Sequence, residues 1–309
     1  MSLFSLIIVF LIEQFQPLPY RLVVADPLRA LADYVEAHFN AGAYRHGILG
    51  WGLIVGPAVV LSIALHYLLY AVNPLLALAF NVVVLYLTMG FRQFSHHYTE
   101  IQTALRLGEL DRARSLLAEW QGRSAFTLGS GDIARLSIEE ALAASHRHVF
   151  AVLLWFVILP GPSGALLYRL SALLAERWRA AGPNPEDGEG FFKFPQQVFG
   201  IIDWLPVRVT AFAFAVVGDF EDAVYCWRNQ ADQWPDRALG IVLAAGAGAL
   251  GVQLGMPVVD SGELTDRAEL GLGEPADVDF MQSAVGLVWR ATVLWVLLLF
   301  LLGLASLVG

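Results

Sequence analysis

Long apolar runs alternate with shorter polar stretches along this chain, and the lengths of the runs make the first prediction. Residues 47–72 and 74–91 are each long and apolar enough to cross a membrane, which takes about 20 residues. Only the uncharged turn at Asn73 and Pro74 separates them, whereas Arg45 precedes the pair and Arg92 follows it. The positive-inside bias therefore places the turn outside and both flanks in the cytoplasm. Residues 198–217 and 285–308 read as further spans. Residues 239–255 are rich in Ala and Gly, which suits close helix packing in a membrane, although they are weakly hydrophobic. Residues 3–12 are apolar but lack a basic start and a small-residue cleavage site, so they read as a short membrane-associated helix rather than a cleaved signal.

The polar stretches carry a different period. Residues 99–121 space Ile101, Leu105, Leu110 and Leu117 among charges, the pattern of one or two amphipathic helices broken near Gly108 and ended by Gly122. Asp132 is the expected N-cap of the next helix. That helix runs over 133–159, polar in its first half and apolar in its second, until Pro160-Gly161-Pro162-Ser163-Gly164 stops it. Residues 165–175 are apolar again. Each arm is too short to cross alone, so the pair is expected to form a re-entrant hairpin. Arg147 and Glu176 then lie roughly 20 Å from the turn, at one depth on the cytoplasmic side. The expected fold is all-α, a polytopic helical membrane protein with about four to six membrane-embedded helices. The expected layout is a single integral-membrane domain over 1–309, with a cytoplasmic helical insert at 92–148. The stretch 261–279 reads as an acidic loop. The side of 219–280 stays open, because Arg290 argues for the cytoplasm and span counting argues against it.

Composition agrees with the pattern. The chain is 57% hydrophobic and 15% charged, with a mean hydropathy of +0.59, against about a quarter charged residues in a soluble domain. A net charge of −9 argues against nucleic-acid binding, which needs basic patches. One cysteine, Cys226, rules out an internal disulfide. Two features carry candidate chemistry. Ser145-His146-Arg147-His148 reads either as a phosphate-binding cluster or as a basic collar at the membrane boundary. Asp203, Pro206 and Arg208 sit where a polar loop gives way to apolar sequence, where charges are costly unless paired or functional. Asp203 there reads as a helix cap and Arg208 as a partner for a neighbouring helix or a ligand. His96, His97, His146 and His148 could supply imidazoles to a metal, but no carboxylate or thiolate pattern supports this, so no metal site is assigned.

These motifs also carry a resemblance. Asp203-Trp204-Leu205-Pro206-Val207-Arg208 resembles the N-Y-I-P-A-R element of the CobD/CbiB family of cobalamin-biosynthesis membrane proteins, and still more the D-W-V-P-V-R element of AmpE, a membrane protein tied to β-lactamase induction. Asp26-Pro27-Leu28-Arg29 is similar to the family's H-P-V-R, and Gly122-Arg123-Ser124 to its G-R-D-T. The stretch from Glu139 to Trp155 aligns without gaps with E-S-L-A-E-N-L-S-D-G-V-V-A-P-L-F-W. Residues 248–255, G-A-L-G-V-Q-L-G, resemble the family's G-A-L-G-V-R-L-G.

The resemblance implies a bacterial inner-membrane, multi-pass protein. In the biosynthetic members it implies amide-bond formation with ATP and Mg²⁺. Several of the family's acidic and amide positions fall here on Ala143, Ala144, Ala172, Ala175, Phe199 and Gly200. The expectation is thus a divergent, non-catalytic or repurposed member with an AmpE-like signalling role, and no confident catalytic residue or cofactor. The alternative is a working cobalamin-pathway amide synthase using ATP and Mg²⁺. Arg123, Ser124, His146, Arg147, His148, Glu176, Asp203 and Arg208 are the candidate ligand-binding residues. Besides the lipid bilayer, the expected partners are a phosphorylated small molecule or lipid head group, and a second copy of the chain.

Overall fold

A computed structural model describes residues 2–15, 24–122, 125, 127–180, 189–260 and 263–308. Among the described residues, four helices are long and apolar enough to cross a membrane: Tyr44–Val72, Ser130–Ile158, Gly190–Val217 and Val278–Ala305. Shorter apolar helices accompany them. The expected all-α, polytopic class is what the structure has. The chain forms two compact units, one of residues 1–90 and 151–205, the other of residues 91–150 and 206–309.

The first unit contains α1 (Ser2–Phe15), α2 (Asp26–Phe39), α3 (Tyr44–Val72), α4 (Pro74–Thr88), α8 (Ala151–Ile158), α9 (Ser163–Ala180) and the first part of α10 (Glu189–Val217). Helix α3 packs on α4 and α9, α1 on α4, and α8 on α9. A core of Ala32, Val35, Ile54, Val55, Leu170, Leu174, Trp178 and Phe191 joins α2, α3, α9 and α10. Asn73 caps α4 by accepting the Leu75 amide at 2.8 Å, with Pro74 at the first helical position. Helix α4 is shorter than the run 74–91 suggests. Its 15 residues span about 22 Å. Thr88 Oγ1 turns back to the carbonyls of Val84 and Leu85, and the chain then breaks at Met89 and Gly90.

The helical hairpin is present. Helix is continuous from Ser130 to Ile158, and α9 starts at Ser163. Gly161 turns the chain with φ +61, tight against the His66 ring of α3. At Gly164 the backbone of α9 comes so close to the Trp155 carbonyl of α8 that no Cβ fits.

The second unit contains α5 (Phe91–Arg106), α6 (Leu110–Gln121), α7 (Ser130–Ser145), a π-helical turn (His146–Phe150), the rest of α10, α11 (Phe220–Gln230), α12 (Arg237–Leu250) and α13 (Val278–Val308). Helix α7 is its centre. Residues 133–139 and 141–145 are all buried, with α5, α6, α12 and α13 packed around them. The polar side chains buried with it, Arg135, Ser137 and Glu139 among them, have to be satisfied inside this packing. Gly108 and Gly122, both left-handed, end α5 and α6 as their sequence implies.

Two expectations are corrected in this unit. Asp132 is not the N-cap of α7; Gly129 is, and Asp132 accepts the Gly129 amide from the third helical position. The stretch after 250 is not a plain loop. Val252–Gly255 (β1) pairs antiparallel with Glu269–Leu270 (β4) and parallel with Glu274–Pro275 (β5), while Val258–Asp260 (β2) and Glu263–Thr265 (β3) form a small hairpin. Left-handed glycines at 251, 255, 271 and 273 supply the sharp turns that such short strands require.

Candidate functional site

The most concentrated polar chemistry lies on α7. Glu139 is only 7% exposed. It accepts the Gly255 amide at 2.9 Å and the Arg267 guanidinium at 2.5 Å. Arg267 lies over the Trp234 ring, 4.9 Å from its centroid. One turn earlier on α7, Arg135 donates to Asp132 at 2.9 Å and to the Pro257 carbonyl at 3.4 Å. Between the two arginines the backbone turns through Gly255 and Met256, both left-handed; Met256 has φ 65. A left-handed methionine is strained and persists only where its surroundings enforce it. The strand segment is thus fastened to α7 by charge. Sequence reasoning touched Glu139 as the start of one family-like stretch and Gly255 as the end of another. It did not join them, because 116 positions separate the two and Arg267 sits in no motif.

The histidine–arginine cluster forms the π-turn that follows α7. His146 is buried, and its ring lies 2.9 Å from Thr210 Oγ1 of α10. Arg147 and His148 are half-buried beside it. Arg208, also half-buried, precedes Thr210 on α10 and has the charge of Arg237 close by. These candidates therefore share one unit and one pair of packed segments. A π-turn inside an α-helix is a frequent mark of functional sites.

Asp203 and Glu176 belong to the other unit. Asp203 does not cap a helix start. It lies inside the continuous α10, buried, and accepts a hydrogen bond from the Tyr168 hydroxyl at 2.9 Å. Trp155 donates to the neighbouring Ile202 carbonyl at 3.1 Å. Glu176 is exposed on α9. The next residue, Arg177, holds Asp33 of α2 in a bidentate pair at 2.7 and 3.0 Å. Glu36 lies in the same group, and burial, with Asp33 beside it, pushes its carboxyl up against the pull of Arg177. Arg123 and Ser124 lie outside the described residues.

At positions where the resemblance puts acids and amides, Ala143, Ala144 and Ala175 are buried in packing. Phe199 lies against Tyr168 with ring centroids 5.6 Å apart, and Gly200 is exposed. Among the described residues no three His, Cys, Asp or Glu side chains group as metal ligands.

The apolar helices and the charged groups among them define a multi-pass, all-α membrane protein in contact with the lipid bilayer. Its residues 17–288 match the profile of the family described as CobD/Cbib protein. The chain belongs to the CobD/CbiB family. It is 36% identical over 282 residues to a protein of Stutzerimonas stutzeri named Cobalamin biosynthesis protein CobD, covering 89% of this chain and 90% of that one. A protein of the same name from Chromobacterium violaceum is 34% identical over 249 residues, covering 81% and 77%. One from Mycobacterium tuberculosis is 28% identical over 279 residues, covering 85% and 86%. No solved structure matches the chain.

Proposed function

We propose that this chain is a repurposed CobD/CbiB-family protein of the bacterial inner membrane, which binds a phosphorylated ligand without making the amide bond. The observation that carries this reading is the apolar packing at Ala143, Ala144 and Ala175, where the resemblance expects acids and amides. Alanine neither ligates Mg²⁺ nor orients an amine, and Mg²⁺ needs oxygen ligands in octahedral geometry. The described residues at these positions do not fit a magnesium–ATP centre, so no step is derived through one. Candidate ligand contacts are His146, Arg147, His148 and Arg208 of the second unit, with Arg123 and Ser124 carried by the resemblance alone, while Glu176 and Asp203 are candidates within the first unit. Arginine-rich clusters suit phosphate, free or on a lipid head group, because charge-assisted bonds are strong. The biological role in this reading is AmpE-like, in cell-envelope or β-lactamase-induction signalling, and the protein works alone or with a second copy of itself. Residues 92–148 face the cytoplasm in this reading, and 219–280, whose α12 and β1 pack on α7, are read on the same side.

A second reading is the cobalamin-pathway amide synthase using ATP and Mg²⁺. It is favoured by the names of the relatives, which match along most of the chain. One assay separates the two. Purified protein in detergent is given adenosylcobyric acid, an aminopropanol phosphate, ATP and Mg²⁺. The first reading expects no cobinamide phosphate above a protein-free control. Clear turnover, or rescue of a strain lacking the synthase, establishes the second reading and sinks the first.

A further inference from the structure

We infer that Arg135 and Arg267 form an oxyanion-binding site in the second unit, taking phosphate or the phosphoryl group of a small ligand. This site is separate from the His146–Arg208 group and does not rest on the reading above. The argument begins with the unused donors. The Arg135 side chain is 8% exposed. Its Nε–H is buried and meets no acceptor among the described residues, and the same holds for the Nε–H of Arg267. Each guanidinium spends its Nη2 on protein: Arg135 on Asp132 and the Pro257 carbonyl, Arg267 on Glu139 and, at a long 3.5 Å, on the Gly255 carbonyl. Nε and Nη2 make up the side-on edge with which arginine grips carboxylates and phosphates. In both residues that edge is half used.

The setting fits a ligand rather than a purely structural clasp. The two guanidiniums flank one short turn, Gly255 to Pro257, and lie near enough for their charges to oppose each other. Asp132 and Glu139 balance these two charges, so the opening for a ligand lies in the two unused Nε–H donors rather than in net charge. Arginine offers donors and no acceptor, so whatever completes it must be rich in acceptors. A phosphoryl group presents several and forms charge-assisted bonds about twice as strong as neutral ones. The left-handed Met256 shows that the turn holds strain beside these donors, as ligand clamps often do. The cluster reaches the surface at one edge, where the Asp132 side chain is 44% exposed and that of Arg267 is 18% exposed.

The test starts with unaltered protein in lipid-free detergent. Phenylglyoxal modification of Arg267 is followed by peptide mass spectrometry, with and without inorganic phosphate. Phosphate is expected to slow it. Protection that appears only when phosphatidic acid replaces phosphate assigns the same chemistry to a lipid head group. Absence of protection by either overturns the inference. Phosphate binding is then titrated in Arg208→Ala protein, which removes the other candidate cluster. Adding Arg135→Lys, which keeps the charge and loses the side-on edge, is expected to weaken binding by about tenfold or more. Arg267→Lys serves the same purpose if that variant misfolds. No phosphate binding in Arg208→Ala protein, or binding indifferent to the lysine substitution, overturns the site.

Discussion

Glu139 and Arg267 set the energetic stakes for single residues. A carboxylate this deeply buried is tolerable only with its charge and lone pairs satisfied, and Arg267 and the Gly255 amide do that. Removing one partner leaves the other charged and stranded. Glu139→Gln and Arg267→Gln are each expected to cost about 3–5 kcal/mol of stability. The double variant should cost clearly less than the sum, because neither charge is then abandoned. Thermal melts of all four proteins in one detergent check this, and strictly additive losses would refute the coupling. Residue chemistry was unevenly legible in the sequence. Gly108, Gly122 and Asn73 announced their turns because backbone geometry is local. The clustering of His146, Arg147 and His148 was legible for the same reason. The partners of Glu139 and Asp203 were not, because Arg267 and Tyr168 are distant in the chain and carry no periodic signal.

Elements were read best where hydrophobic period and length agreed. Helices α3, α10 and α13 follow directly from run length, and the hairpin of α8 and α9 from the Pro-Gly cluster between two short apolar arms. Helix α4 was over-read because apolarity continues past Thr88, while the hydroxyl that folds back on Val84 and Leu85 leaves no trace in hydropathy. The strands after Gly251 were missed because two- and three-residue strands are too short to show an alternation. Gly164 decides whether the hairpin closes. With the α9 backbone against the Trp155 carbonyl, any side chain must push the arms apart. Overpacking of this kind costs about 1–3 kcal/mol, and more where backbone cannot yield. Gly164→Val is expected to lower the melting temperature and the yield of monodisperse protein sharply. Gly52→Ala, on the open face of α3 where a Cβ meets nothing, should leave both unchanged. Equal behaviour of the two variants would show that the hairpin does not close as described.

At the scale of the molecule, packing within the second unit shows which segments keep company with residues 219–280. The sequence left their side open, with Arg290 arguing for the cytoplasm and span counting against it, and α12 is apolar yet only 14 residues long, about 21 Å. Its contacts settle the matter of company. Helix α12 and strand β1 pack on α7, whose other neighbours α5 and α6 belong to the polar insert. The start of α13 joins the same group, with the Tyr98 hydroxyl of α5 donating to the Met281 carbonyl at 2.7 Å and Gln102 to Gln282 at 3.3 Å. Helix α13 has 31 residues, about 46 Å, so it can reach this group and still cross a core of about 30 Å. The insert and residues 219–280 are therefore expected on one side of the membrane. Ser115→Cys on α6 and Asn229→Cys on α11, both exposed positions, test this with a membrane-impermeant maleimide. The native thiol stays nearly silent, because Cys226 is fully buried and burial, with Asp222 nearby, pushes it up to about 11. At pH 7.5 it holds roughly a hundredfold less thiolate than an ordinary cysteine. Only as pH rises toward 11 does its charged form become accessible, at the expense of the buried neutral one. Both new cysteines should be protected in intact cells and labelled in inverted vesicles. Labelling of one from each side would break the second unit apart and, with it, the charged fastening between α7 and the strand segment.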